Sequence, residues 1–150
     1  MLRDVEVEAV PAHDLAAPLA LLAEALRDGE PLSPDAVARL RAEIEEDRLE
    51  VLAARSPRPG GPVAGVAVLA FRTSLSTGER FASIEELHVA SREQGRGVGA
   101  ALLEGVEERC SGRGISYVEV QAVEEAAGFY ARSGYEPEPG HGILSRSVAL

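Results

Sequence analysis

The densest chemistry in the chain lies in Gln94-Gly95-Arg96-Gly97-Val98-Gly99-Ala100. Small residues there let backbone N–H groups approach a phosphate with no Cβ in the way. The residues that follow read as a helix. A helix N-terminus adds unpaired N–H donors and a partial positive charge, and together these make an anion site. Arg92 and Arg96 add formal charge beside it. Upstream, a strand-like run carries Ser83, Glu85, Glu86 and His88. On a strand Ser83, Glu85, Leu87 and Val89 share one face, and Glu86 and His88 share the other.

Two phosphate-binding readings compete. Gly95, Gly97 and Ala100 satisfy the dinucleotide pattern G-x-G-x-x-(G/A), and Glu119 lies 24 residues beyond Gly95, near the expected ribose ligand. A dinucleotide-binding turn follows its strand almost directly, however, whereas Gly95 stands six residues after Val89. The preceding strand also carries two carboxylates, which do not suit a strand covered on both faces. The chain has no lysine, which excludes a P-loop.

These groups need a scaffold. Val5, Val7 and Ala9 alternate with Glu6 and Glu8, the period of a half-buried strand. Asp14 is positioned to cap a helix with Leu15, Leu19, Leu22 and Leu26 on one face, with Pro18 early enough to be tolerated. Asp28-Gly29-Glu30-Pro31 breaks it. Ser33 caps a second helix with Pro34 at its first position and Val37, Leu40 and Ile44 as its stripe. Leu49 to Ala54 reads as a strand, and Ser56 to Pro62 as a Pro/Gly-rich loop. Val63 to Phe71 is almost continuously apolar, like a strand buried on both faces. Ser76 to Glu79 turns the chain, and Phe81 to Val89 returns as the hairpin partner. A helix from about Gly97 to Arg113 turns Val98, Leu102, Val106 and Cys110 inward. Ile115 to Ala122 is a further strand, Glu124 to Arg132 a short helix, and Ile143 to Val148 a last strand. The order β-α-α-β-β-β-α-β-α-β predicts one α/β domain, residues 1–150, with a mixed sheet.

Composition bounds the function. The 150 residues carry a formal charge of −10, which argues against a nucleic-acid partner. No apolar run reaches the roughly 20 residues of a membrane span, and Met1 to Val10 reads as neither a signal nor a transit peptide. Cys110 is the single cysteine, and no Cys/His cluster has zinc-ligand spacing, so no metal is expected. A cytoplasmic protein is the expectation.

The segment from about Val63 to Val148 resembles the GNAT superfamily of acetyl-CoA-dependent N-acetyltransferases. That family's phosphate loop, (Gln/Arg)-x-x-Gly-x-(Gly/Ala), is matched by Gln94, Gly97 and Gly99. Its preceding Leu-x-Val strand end is matched by Leu87 and Val89. Its Ala-x-x-Phe-Tyr helix and Gly-(Tyr/Phe) are matched by Ala126, Phe129, Tyr130, Gly134 and Tyr135. Three blocks in order and at family spacing are specific where the loop alone is not. The family often has asparagine where this chain has Val123.

The resemblance implies a GNAT fold with a mostly antiparallel sheet, and transfer of an acetyl group from acetyl-CoA to a primary amine of a small molecule or protein. It implies cofactor contacts along Leu87, His88 and Val89 and through Gln94, Gly95, Arg96, Gly97, Val98, Gly99 and Ala100. An alkylamine with a pKa near 10.4 is neutral in about one molecule in 2,500 at pH 7, a penalty of roughly 4.6 kcal/mol. By family position Glu85 accepts its proton, with Glu86 as fallback and His88 third; many members use ordered water instead. The Val89 N–H is implied to stabilise the tetrahedral oxyanion. Tyr130 is implied to donate a proton to the leaving thiolate. Homodimers are common in the family. The rival readings are a non-catalytic acetyl-CoA-binding protein of the same fold and a dinucleotide-binding module.

Overall fold

Two long apolar runs set the architecture. In the computed structural model, which describes residues 5–56 and 60–149, Leu49–Arg55 forms β2 and Val63–Thr73 forms β3, and the first six residues of each are buried. Strands this apolar need cover on both faces. β1 (Glu6–Ala9) pairs antiparallel with β2, and β2 with β3. A turn with Gly78 at φ 76° returns the chain as β4 (Arg80–Val89), antiparallel to β3. β5 (Val118–Val120) joins β4 in parallel, giving a five-stranded open sheet in the order β1-β2-β3-β4-β5.

One face is covered by α1 (Ala16–Leu26) and α2 (Pro34–Glu45), whose Leu22, Leu40 and Ile44 meet Val51, Val66 and Val68. The other is covered by α3 (Val98–Gly112), whose Val98, Leu102, Val106 and Cys110 form the expected inward stripe. Phe129 and Tyr130 of α4 (Ala127–Arg132) pack on that same core. Burial is the first cause that pushes the Cys110 thiol upward, so it stays protonated. No helix among the described residues is long and apolar enough to cross a membrane.

A buried carboxylate ties the sheet to α3. Glu50, 6% exposed, accepts from Arg109 Nε and Nη2 at 2.9 and 2.6 Å and from Arg113 Nη2 at 2.9 Å. Arg113 also donates to Asp47 at 2.7 Å and lies over the Phe71 ring. Burial alone would raise the Glu50 pKa; the two guanidiniums outweigh it and hold the carboxyl below its usual range.

The structure corrects four expectations. Asp14 does not cap α1: the N-cap is Leu15, which is buried at 1% and makes no side-chain cap, so packing of Leu15 fixes this helix start. Leu26 leaves the stripe and is 51% exposed, its place taken by Pro18 and Ala23. β5 is three residues rather than eight, because it diverges from β4 after Val120. Ile143 to Val148 forms no strand: Ile143, Leu144 and Val148 are 66%, 98% and 73% exposed, and the segment joins neither edge of the sheet. Part of the Ser56–Pro62 loop, residues 57–59, lies outside the described residues. The Ser33 cap holds, with its Oγ accepting from Ala36 N–H at 3.2 Å.

Candidate active site

The site begins where β4 outruns its neighbour. β5 pairs only with Ala82, Ser83 and Ile84, while β4 continues to Val89. Five residues of β4 therefore have an open edge, about 16 Å long at the usual strand rise. Ala90 N–H donates to Ala64 O at 2.8 Å, so Ala90 and Ala64 form a hydrogen-bonded pair and Val89 and Gly65 do not. By the alternation of an antiparallel ladder, Leu87 and Val89 turn their N–H and C=O groups away from β3, toward this opening. The Val89 carbonyl is taken by Gln94 Nε2 at 3.3 Å.

The strand is not regular. Val68 pairs with Glu86 and Leu69 with Ile84, so Glu85 is the extra residue of a β-bulge. It is exposed. The bulge reverses which face each later side chain takes. Ala82 and Ile84 before it, and Leu87 and Val89 after it, all lie on the α3 face. Ser83, Glu86 and His88 stand opposite Ala70, Val68 and Val66, on the face of α1 and α2. Glu85 thus does not share a face with Leu87 and Val89, and Ser83 joins Glu86 and His88. The sequence carried a trace of this: apolar Ala82, Ile84, Leu87 and Val89 are spaced two, three and two, and the step of three is the bulge. On the α1 face His88 Nε2 lies 2.8 Å from Glu86 Oε1, with both side chains partly exposed.

Beyond Val89 a short turn, Ser91–Glu93, leads to the glycine loop. Gly95 and Gly97 take φ of 80° and 74°, the left-handed region open to glycine. Gly97 is the N-cap of α3 and offers no side chain to it. Ala101 N–H makes the bond to Gly97 O at 3.0 Å, so the N–H groups of Val98, Gly99 and Ala100 have no partner within the helix. Gln94 to Gly97 and Ala100 are exposed; Val98 and Gly99 are buried, Val98 as part of the core. Arg96 is 70% exposed and 3.9 Å from Glu93, and Arg92 donates to Val63 O.

Gly99 has a role that sequence reasoning missed. A Cβ there would stand 2.8 and 2.9 Å from Phe129 Cε1 and Cζ. The α3 N-terminus and α4 are thereby clasped together. The Phe129 ring meets Tyr130 at 4.9 Å, and Tyr130 meets Tyr135 at 5.5 Å, both edge to face. Tyr130 is half-buried, and its phenol is pushed up first by burial and then by the Glu86 carboxylate. It therefore holds its proton at neutral pH. Burial likewise pushes Tyr135 up to about 12. Glu119, the dinucleotide reading's ribose ligand, instead pairs with Arg72 at 3.2 Å, and the sheet is not a parallel doubly wound one.

Comparison with known proteins agrees with this geometry. The family model described as "Acetyltransferase (GNAT) domain" matches residues 29–141. No curated protein matches the chain. Three solved structures are similar over nearly the whole length. An aminoglycoside acetyltransferase from an uncultured soil metagenomic sample is 20% identical, covers 98% of this chain and 97% of its own, with TM-score 0.78. Glucosamine-6-phosphate N-acetyltransferase from Arabidopsis thaliana is 18% identical, covers 97% and 99%, with TM-score 0.78. A predicted acetyltransferase from Clostridium acetobutylicum, solved with acetyl-CoA, is 14% identical, covers 94% and 96%, with TM-score 0.74. These likenesses speak for the fold; the family match, over three-quarters of the chain, speaks for the chemistry. The open β4 edge beside a glycine-opened helix therefore belongs to an acyltransferase, and the chain is a member of the GNAT acetyltransferase family.

Proposed function

We propose that the protein transfers the acetyl group of acetyl-CoA to a primary amine on a small molecule. The observation that carries this is the open β4 edge, whose Leu87 and Val89 backbone groups turn toward a gap that ends at the α3 N-terminus. The pantetheine amides add to that edge as an extra strand would. The pyrophosphate meets the N–H groups of the Gly95–Ala100 loop, where Gly95 leaves open space. The residues fit the cosubstrate at both ends. Two similar structures carry amino-sugar acetyltransferases by name, which supports a small-molecule acceptor over a protein one.

The chain's groups divide the work. The Val89 N–H points at the oxyanion that forms when the amine nitrogen attacks the thioester carbonyl. As the C–S bond breaks, the Tyr130 hydroxyl gives its proton to the sulfur, and burial keeps that proton available. Glu85, exposed on the bulge, draws the cationic amine toward the edge. Overall one ammonium and one thioester give one amide, one thiol and one released proton. A cytoplasmic setting follows from the use of acetyl-CoA.

An amine panel of glucosamine 6-phosphate, sisomicin and a linear diamine, with acetyl-CoA and detection of released thiol, tests the reading. Turnover with at least one amine is expected, together with a rise in thermal midpoint on adding CoA but not NAD(P). Stabilisation by NAD(P) without response to CoA would reverse it, and CoA binding with no turnover on any amine would favour the non-catalytic alternative.

A further inference from the structure

Beyond the bulge, Glu86 and His88 stand two positions apart on regular β4, and their side chains meet on one face. We propose that His88 takes the proton of the acceptor amine and that Glu86 holds its imidazole in the tautomer that can do so. The inference rests on the acetyl-transfer reading and goes beyond it by naming the proton acceptor.

The geometry determines the tautomer. A carboxylate only accepts hydrogen bonds, so at 2.8 Å from Glu86 Oε1 the His88 Nε2 carries the hydrogen and donates it. Nδ1 is then the atom with the free lone pair. It has no protein hydrogen-bond partner among the described residues. This is the arrangement in which a carboxylate orients a histidine for proton abstraction. The step balances simply: R–NH₃⁺ loses a proton to Nδ1, the imidazolium is stabilised by Glu86, and the neutral amine attacks.

The surroundings suit the role. Opposite the pair on β3 stand Val66 and Val68, which are apolar. α1 packs toward β4 and carries Glu24 as its one ionisable residue. From α4, Tyr130 packs on the α3 side of the sheet and feels the Glu86 charge. Glu119 of β5 is engaged by Arg72. Glu85, also on β4, is exposed and has slipped out of line at the bulge. Ser83, buried at 8%, closes the row beyond Glu86.

The test compares wild type, His88→Gln, Glu86→Gln and Glu85→Gln. For each, kcat/KM is followed from pH 6 to 9.5 with acetyl-CoA and the panel amine that reacts, beside the CoA-induced thermal shift. His88→Gln is expected to lose roughly 10²-fold at pH 7. At pH 9 about 4% of an alkylamine is already neutral, so the loss shrinks to a few-fold. Glu86→Gln follows the same pattern with a smaller loss, Glu85→Gln keeps the wild-type pH shape, and all three keep the CoA response. Imidazole ¹⁵N NMR supplies a readout independent of turnover: the Nε2–H tautomer of His88 in wild type, less populated in Glu86→Leu, which leaves that N–H no acceptor. An unchanged acid limb in His88→Gln, an equal loss at every pH, or a tautomer population indifferent to Glu86→Leu overturns the assignment while leaving acetyl transfer standing. A wild type inert toward every amine removes the acetyl-transfer reading and the pair with it.

Discussion

Gly99→Ala tests the clasp between α3 and α4 with one methyl group. Gly99 lies in the first turn of α3 with ordinary helical backbone, so alanine introduces no dihedral strain there. Helix propensity alone favours the change by about 1 kcal/mol. Against this, the new Cβ stands 2.8 Å from Phe129 Cε1, where ordinary contact begins near 3.4 Å. The ring must retreat by roughly 0.6 Å, and overpacking of this kind costs about 1–3 kcal/mol. The net is a loss of about 0–2 kcal/mol, or a midpoint lower by no more than about 8 °C for a chain of this size. The functional effect is larger. Phe129 meets Tyr130 edge to face at 4.9 Å, so its retreat moves the hydroxyl proposed to protonate the leaving sulfur. Misplacement of a reacting group by about 1 Å costs up to 10²-fold. Steady-state kinetics should therefore show kcat down by about tenfold to 10²-fold, with KM for acetyl-CoA changed much less. Phe129→Leu in the same chain makes room for the methyl and should recover part of both losses. A Gly99→Ala protein with wild-type kcat and midpoint would refute the clasp.

Tyr130→Phe keeps the ring packing and removes the proton; kcat should fall about 10²-fold with the fold intact by circular dichroism. Gly97→Val puts a β-branched side chain at φ 74° on the α3 N-cap, and calorimetry should find CoA binding at least tenfold weaker. Glu50→Ala leaves Arg109 and Arg113 without their shared partner and should cost about 3 kcal/mol in urea unfolding, the low end for a broken buried pair because Arg109 is 45% exposed. The Glu50 and Asp47 carboxyls are both held below their usual range, so their stabilisation is complete above about pH 4.5 and fades as pH falls through their folded values. Glu50→Ala should accordingly flatten the acid side of the stability curve.

The elements that form by local rules were readable from sequence. Ser33-Pro34 specified a helix start, Val98-Leu102-Val106-Cys110 specified the buried stripe of α3, and Val63 to Phe71 specified a central strand. What depends on a distant partner was not. Ile143 to Val148 has strand composition but pairs with no edge of the sheet, and β5 ends where β4 diverges. Leu15 stabilises the start of α1 by burial, which outweighs the nearby Asp14 as a capping side chain. Gly99 of the glycine loop lies beside Phe129 and Val89, so the loop, the end of β4 and α4 meet on one core. Alternation alone put Glu86 and His88 on one face; that Ser83 joins them required the bulge, visible beforehand only as one irregular step in the apolar spacing.

That irregular step makes β4 unequally tolerant of change in kind. Substituting Glu85 alters one exposed side chain and leaves the register alone. Deleting it removes only the unpaired residue: Ile84 stays opposite Leu69 and Glu86 opposite Val68, so the ladder closes into regular alternation and every later side chain keeps its face. What is lost is the bend that a bulge puts into its strand. Deleting a paired residue such as Leu87 is a different event. The strand then turns either His88 or Glu86 into the core that α3 covers, depending on whether the bulge stays or is absorbed. A one-codon deletion of Glu85 should therefore keep the fold and the soluble yield, while a one-codon deletion of Leu87 should lose both. The bulge is the one place where β4 can shorten without changing which side chains it presents to each face.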